Sequence, residues 1–167
     1  ACTVSDDGNV CFARQGGTWI LRFQGDIRYT MAHAVDVFID DMFAHGNPLR
    51  ICADLNATTS IDSTGIGLIA KLSNGMRVVG REMPIVFSAN ADVVETLRNV
   101  CLDEVCTIVA SAPEVVAENE IPATTPDERE LARTIVSAHC MLCDLCENNR
   151  AEFSGVIEAF QREVDRT

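Results

Sequence analysis

The sequence contains very little lysine and no long hydrophobic run. Lys71 is the only lysine among 13 basic residues, and 25 acidic residues bring the net charge to −12. A surface this negative repels nucleic-acid phosphates and anionic lipids, and we therefore expect neither nucleic acid nor a membrane as a partner. Proteins with basic surfaces are compatible partners. No apolar run approaches the roughly 18 residues of a membrane-spanning helix, and residues 1–8 lack the basic and apolar regions of a signal peptide. We therefore expect a cytoplasmic protein.

Length and composition indicate one folded domain with an appendage. The chain has 167 residues, of which 47% are hydrophobic and 23% charged, which is enough to bury a core. Residues 111–125 contain two prolines and little periodicity, which favours a linker or a loosely packed connection. We predict a domain over residues 1–110, a linker over 111–125 and a C-terminal amphipathic helical extension over 126–167.

Eight cysteines are present, and without an export signal they are interpreted as reduced thiols rather than disulfides. Free cysteine at an apolar position behaves as a small hydrophobic residue. That is the interpretation for the five scattered cysteines, which are Cys2, Cys11, Cys52, Cys101 and Cys106.

Apolar periodicity over the first 110 residues predicts the element order ββαβαβαβ. Trp19, Leu21 and Phe23 alternate with polar residues, which indicates a β-hairpin over 10–24. Helical spacing then alternates with short apolar runs, which implies a largely parallel sheet of the α/β class. Three helices are predicted: the first is capped by Thr30, the second begins just after Ser63, and the third is capped by Asn90. The predicted strands are 49–55, 84–88 and 105–109, and a polar turn is predicted over 56–60.

The C-terminal extension begins with a strong helix signal. Thr125 is predicted as the N-cap, Pro126 as the first helical residue and Glu128 as the capping-box glutamate. An apolar stripe continues to residue 164 and predicts one long amphipathic helix, or two with a break near Asn149. Such a stripe either packs on its own domain or forms a homodimer or a second docking surface.

The segment from Asp54 to Leu68 places a serine where a loop becomes a helix. Asp62 directly precedes Ser63, and Gly65 and Gly67 leave the backbone of the first turn open to another protein. A serine there is by itself an ordinary helix cap. A phosphate on Ser63 would lie against the positive end of the helix and add nearly two negative charges to an exposed surface.

This segment, with Asp62-Ser63-Thr64-Gly65-Ile66-Gly67 at its centre, resembles the signature of bacterial anti-sigma factor antagonists, the STAS domain family. The resemblance extends to the order of elements over residues 10–109. It implies a mixed β-sheet with helices on one face. It also implies that Ser63 is phosphorylated by an anti-sigma factor that is a serine kinase, with Thr64 as a second acceptor, and that the six residues bind the partner.

The resemblance further implies a partner-switching role in signal transduction and transcription regulation. The unphosphorylated antagonist binds the anti-sigma factor, phosphorylation releases it, and a metal-dependent serine phosphatase resets the cycle. Residues after 110 are similar to the helical extension of some proteobacterial STAS proteins that control motility or biofilm formation. An alternative use of the same fold is a scaffold component of a signalling assembly or a small-ligand-binding STAS protein.

Enzymatic and metal-dependent functions have less support in the sequence. Phosphate-binding loops, nucleophile elbows and zinc-protease motifs are absent, so we predict a binding module without catalytic activity or cofactor. His139, Cys143 and Cys146 lie within about 60° of one another on a helix and are candidate ligands for a metal or redox sensor. A Cys-x-x-Cys within one helix lacks the turn that zinc motifs use, so the prediction is that no metal is bound.

Overall fold

The computed structural model describes residues 8–114 and 117–166, so Cys2 lies outside the described residues. The strands are β1 (Asn9–Gln15), β2 (Thr18–Ile27), β3 (Arg50–Asp54), β4 (Thr58–Ile61), β5 (Ile85–Phe87), β6 (Thr107–Val109) and β7 (Asn119–Glu120). The α-helices are α1 (Ala32–Asp41), α2 (Ser63–Val78), α3 (Ala91–Asn99), α4 (Glu128–Cys143) and α5 (Glu147–Asp165).

The seven strands form one mixed sheet in the order β6-β5-β3-β2-β1-β7, and β4 pairs with β2. The predicted hairpin is confirmed, because β1 and β2 are antiparallel and joined at Gly16, whose φ is +61°. The pairs β2·β3, β3·β5 and β5·β6 are parallel, as the alternating pattern predicts. The fold is therefore the expected α/β arrangement.

Strand β4 corrects the prediction of a polar turn over 56–60. β2 is ten residues long, and its first five residues pair with β3. Beyond the end of β3, the edge of β2 from Gly25 to Ile27 pairs with β4 instead. Thr58 and Ile61 are β-branched residues that suit a strand, but only this non-local pairing decides the structure of the segment.

Two predicted helix starts are also displaced. α1 begins at Ala32 after a 3₁₀ turn, and its N-cap is Met31 rather than Thr30. The N-cap of α4 is Asp127, whose carboxylate accepts from the Glu130 N–H at 2.7 Å in a capping box. Thr125 and Glu128 are therefore not the capping pair, because the Asp127 carboxylate, two residues later, accepts from the free amide of the first turn. Asn90 does cap α3, as predicted.

The core lies between the sheet and the helices. Leu21 and Phe23 of β2 are fully buried; Cys11, Cys52 and Cys106 are also buried, Cys106 within the apolar core, whereas Cys101 is partly exposed. Burial raises the pKa of the Cys106 thiol to about 12, because a thiolate is poorly solvated there.

Helices α1, α2 and α4 pack against one another. Lys71 of α2 forms ion pairs of 2.6 Å with both Asp36 and Asp40 of α1. Burial lowers the pKa of Lys71, but its hydrogen bonds with the two carboxylates outweigh burial, and the net shift is upward. The only lysine of the chain thus joins two helices.

The connection between the domain and the C-terminal helices lies along the sheet. β7 pairs with β1, and Arg22 forms ion pairs with Asp54 at 3.2 Å and Glu118 at 2.6 Å. The side chain of Asn56 donates to the carbonyl of Ser111 at 2.9 Å. Ser111 and residues 118–120 are therefore held to the sheet.

The two C-terminal helices, α4 and α5, form a helical hairpin. The break between them is at residues 144–146, not near Asn149. Asn149 lies in the first turn of α5, is fully buried, and donates to the carbonyls of Leu142 and Val100, each at 2.8 Å. The helical hairpin packs through α4 on α2 and α1, as one of the two predicted arrangements has it, and a homodimer or second docking surface stays a prediction.

Candidate functional site

Ser63 is the first residue of α2, and the residue before it organises the helix start. The carboxylate of Asp62 is the N-cap and accepts from the Gly65 N–H at 2.9 Å. Its other oxygen accepts from the Tyr29 N–H at 2.7 Å. Because Asp62 satisfies the free amide of Gly65, the Ser63 hydroxyl is not needed as the cap and is free to bind elsewhere.

The Ser63 hydroxyl binds a histidine of the C-terminal helical hairpin. Nδ1 of His139 lies 2.7 Å from the Ile135 carbonyl, which only accepts, so Nδ1 carries the proton. In the neutral ring Nε2 is then an acceptor, and Ser63 Oγ donates to it at 2.8 Å. This contact joins residues that are 76 positions apart in the chain.

His139 is sealed in the interior on the side away from Ser63. It is only 2% exposed, and the ring of Phe153 from α5 contacts it edge-on at a centroid distance of 5.3 Å. The ring orientation is therefore fixed by a backbone carbonyl on one nitrogen and by an aromatic neighbour. The sequence makes His139 a candidate metal ligand and does not predict its contact with Ser63, because no local signal connects the two residues.

The glycines of the motif do not leave the helix open, contrary to the prediction from sequence. A Cβ at Gly67 would lie 2.3 Å from the Ala138 carbonyl oxygen, so the backbones of α2 and α4 are in close contact there. A Cβ at Gly65 would meet the side chains of Ile61 and Ile27 at about 3 Å. Both glycines permit packing within the chain.

The six residues predicted to bind a partner differ in exposure. Asp62 and Ser63 are half-buried, whereas residues 64–67 are all buried. The buried stretch continues without interruption to Ala70, and a helix buried at every position is covered on more than one side. Both α4 and α1 pack against α2.

The three candidate metal ligands do not converge. His139 binds Ser63, the Cys143 thiol lies 3.8 Å from the Asn149 carbonyl, and Cys146 lies beside Cys101. Within residues 8–114 and 117–166, no group of three or more His, Cys, Asp or Glu side chains is placed to hold a metal ion.

Cys101 and Cys146 bring together the end of α3 and the start of α5. The hydrogen bond with the Cys146 thiol raises the pKa of Cys101 to about 11. Cys146 is the N-cap of α5, and Asn149 three residues later binds the carbonyl of Val100, the neighbour of Cys101. Both thiols are partly exposed.

Comparison with known families identifies the domain that carries Ser63. The family model described as the STAS domain matches residues 10–115, which is more than half of the chain. The chain belongs to the STAS domain family. The match includes the whole sheet except β7, together with α1, α2 and α3. The helical hairpin that supplies His139 lies outside it.

Solved structures with this STAS fold include regulators of known type. The unphosphorylated anti-sigma factor antagonist SpoIIAA matches with a TM-score of 0.53 and 15% identity, over 64% of this chain and 90% of that chain. Phosphorylated SpoIIAA, a Bacillus cell fate determinant, gives 0.51 and 14%, over 60% and 91%. The NMR structure of the protein TM1081 gives 0.53 and 22%, over 59% and 78%. At these identities the likeness shows the fold alone.

The chain has no match among curated proteins. In the part of the STAS protein that the structure describes, none of the helices combines the length and the apolar character needed to cross a bilayer.

Proposed function

We propose that this protein is an anti-sigma factor antagonist of a bacterial partner-switching pathway. In its unphosphorylated form it binds an anti-sigma factor that is also a serine kinase. Phosphorylation of Ser63 releases that partner, and a metal-dependent serine phosphatase restores the hydroxyl. The observation that carries the proposal is the position of Ser63 at the first residue of α2, after the N-cap Asp62, within a STAS domain.

The charge change at this position supports a switch. A phosphoserine brings nearly two negative charges and three strong acceptors to the helix N-terminus. The helix dipole tolerates that charge in the free protein. A partner that buries the same surface must desolvate a dianion, which disfavours the complex strongly. The structural neighbour SpoIIAA is described in both unphosphorylated and phosphorylated forms, which is consistent with this cycle.

Of the two predicted acceptors, Ser63 has the better support. Its hydroxyl is half-buried at the start of the helix, whereas Thr64 is only 3% exposed. A kinase must place the hydroxyl in its own active site, so Thr64 requires unwinding of the helix start. We propose Ser63 as the acceptor.

The protein is proposed to be a regulator without catalytic activity. The hydrogen bond between Ser63 and His139 resembles the one between a catalytic serine nucleophile and its general base. However, His139 is buried and packed against Phe153, so a substrate would have to displace α4 to reach the pair. The histidine is oriented by a backbone carbonyl rather than by a carboxylate.

Partner capture tests the proposal. Tagged Ser63→Ala protein, expressed in the native cell, is expected to retain the kinase partner, and Ser63→Asp is expected to lose it. Mass spectrometry of the captured proteins identifies the partner. Equal recovery of the same partner with both variants would contradict a charge switch at Ser63.

A second candidate function rests on a cavity of about 330 Å³ between the helical hairpin and Tyr29. Its walls include Leu131, Ile135 and Phe160, and Glu128 also contributes. A cavity of this size accommodates a small apolar ligand, as in a ligand-binding STAS protein. Native mass spectrometry of the purified protein distinguishes this function, which requires a co-purifying compound in stoichiometric amount.

A further inference from the structure

The helical hairpin contacts α2 at the position of the proposed switch. His139 and Ala138 are neighbours on α4, and they meet Ser63 and Gly67, which are one turn apart on α2. One contact is a hydrogen bond to the acceptor hydroxyl, and the other is a close approach of the two backbones. The surface that a STAS partner would need is therefore occupied by the chain itself.

We propose that the helical hairpin is an intramolecular lid on the switch. The lid must leave α2 before a kinase or a partner protein reaches Ser63, and a phosphate on Ser63 prevents the lid from closing again. This inference rests on the proposed function and adds its regulation. It makes the partner and α4 competitors for one surface.

The geometry at Ser63 makes the closed lid and the phosphate mutually exclusive. Nε2 of His139 accepts the hydroxyl hydrogen at an Oγ to Nε2 distance of 2.8 Å. A phosphoryl group on the same oxygen replaces that hydrogen, so the hydrogen bond that holds the lid at Ser63 is lost. The ring has no room to retreat, because Phe153 packs on it and it is 2% exposed.

Small and polar side chains make up most of the face by which the lid docks. Of the six buried side chains of α4, only Ile135 and Leu142 are large and aliphatic. Its capping box is internal to the helix, which keeps α4 helical when undocked. Residues 121–127 before it form neither helix nor strand and provide the hinge.

A substitution on α4 tests the lid without altering the STAS domain. Ala138→Glu places a carboxylate in a position that is 2% exposed and faces Gly67, which disfavours docking, while glutamate remains a good helix former. Ala151→Glu is the matched control, because the same change falls on an exposed position of α5. His139→Leu is a second variant, which removes the acceptor for Ser63 together with the hydrogen bond to the Ile135 carbonyl.

Two measurements are made on each full-length variant. Amide hydrogen exchange reports opening of α4 over residues 128–143. Mass spectrometry of the tryptic peptide 51–71 reports the initial rate of phosphate transfer to Ser63 from ATP in an extract of the native cell.

We expect Ala138→Glu to raise both α4 exchange and the phosphorylation rate by about tenfold or more, in proportion to the open population. We expect a smaller rise of both with His139→Leu and no change with Ala151→Glu. If amide exchange in α4 becomes faster while the phosphorylation rate of Ser63 is unchanged or slower, the lid proposal is overturned. Unchanged amide exchange in both α4 variants would also overturn it. Absence of phosphate on Ser63 in every protein would instead overturn the proposed function, while the exchange data still report on the contact.

Discussion

Ser63 of the STAS domain and His139 of the helical hairpin form a 2.8 Å hydrogen bond across 76 residues of sequence. The neutral histidine tautomer is set by the Ile135 carbonyl, so the serine is the donor. The proposed phosphorylation site and the C-terminal extension are therefore one structural unit in the unmodified protein.

Removal of the histidine acceptor is expected to destabilise the protein. His139→Leu leaves the hydroxyl of Ser63 without its partner in a partly buried site, at a cost of about 1–3 kcal/mol in the free energy of unfolding. Urea denaturation followed by circular dichroism measures this loss in the free energy of unfolding. His45→Leu is the control, because the His45 side chain is 78% exposed, and we expect it to change stability by less than about 0.5 kcal/mol. Equal effects of the two substitutions would argue against a structural contact at His139.

The close approach of α2 and α4 predicts opposite effects for two glycine substitutions. Gly67→Ala brings a Cβ within 2.3 Å of the Ala138 carbonyl oxygen and is expected to cost about 1–3 kcal/mol through forced separation of the helices. Gly155→Ala adds a Cβ that meets nothing within 4 Å, so the better helix propensity of alanine is expected to stabilise by about 0.5–1 kcal/mol. Thermal unfolding of both variants checks the signs. Stabilisation by Gly67→Ala would show that α4 does not pack on this face.

The paired thiols at the base of the helical hairpin predict a specific cross-link. Mild oxidation with diamide is expected to join Cys101 to Cys146, with loss of the two thiol hydrogens to the oxidant, because these thiols lie beside each other and are partly exposed. Peptide mapping without reduction detects the disulfide. Cys140→Ser is the control that retains it, since Cys140 is exposed and lies elsewhere on α4. Preferential linkage of Cys140 to another cysteine would contradict this placement.

The raised pKa of Lys71 gives a pH dependence with a definite sign. A cation whose pKa is higher in the folded than in the unfolded protein contributes stability that is complete below the unfolded value, about 10.4. That contribution is lost as the pH rises through the folded value. Lys71→Met removes the ion pairs with Asp36 and Asp40 and is expected to cost about 1–3 kcal/mol at pH 7. The difference in the free energy of unfolding between Lys71→Met and the unsubstituted protein should shrink above about pH 10. A difference that grows above that pH would refute the stabilising role of the Lys71 ion pairs.

The sequence predicts those parts of the fold that depend on neighbouring residues. The hairpin over 10–24, the Asn90 cap and the parallel alternation of elements follow from local patterns. Strand β4 was missed because its structure depends on the uncovered end of β2. The displaced cap of α4 reflects two possible cap residues, Thr125 and Asp127, two positions apart, of which the structure selects Asp127.

The candidate site was predictable only in the part that depends on neighbouring residues. The placement of Ser63 after Asp62 at a helix start is local and was predicted correctly. The contact of Ser63 with His139 requires a helix from the other end of the chain to dock on α2, and no periodicity in the sequence encodes that pairing. The glycines of the motif were misinterpreted as open backbone for the same reason, since Gly67 is adapted to Ala138.

The most direct test of the central claim is the location of phosphate after incubation of the full-length protein with ATP and an extract of the native cell. The claim predicts one phosphate on the tryptic peptide 51–71, assigned to Ser63 by fragmentation, with none on Thr64 and none in Ser63→Ala. Undiminished phosphate uptake by Ser63→Ala would contradict it.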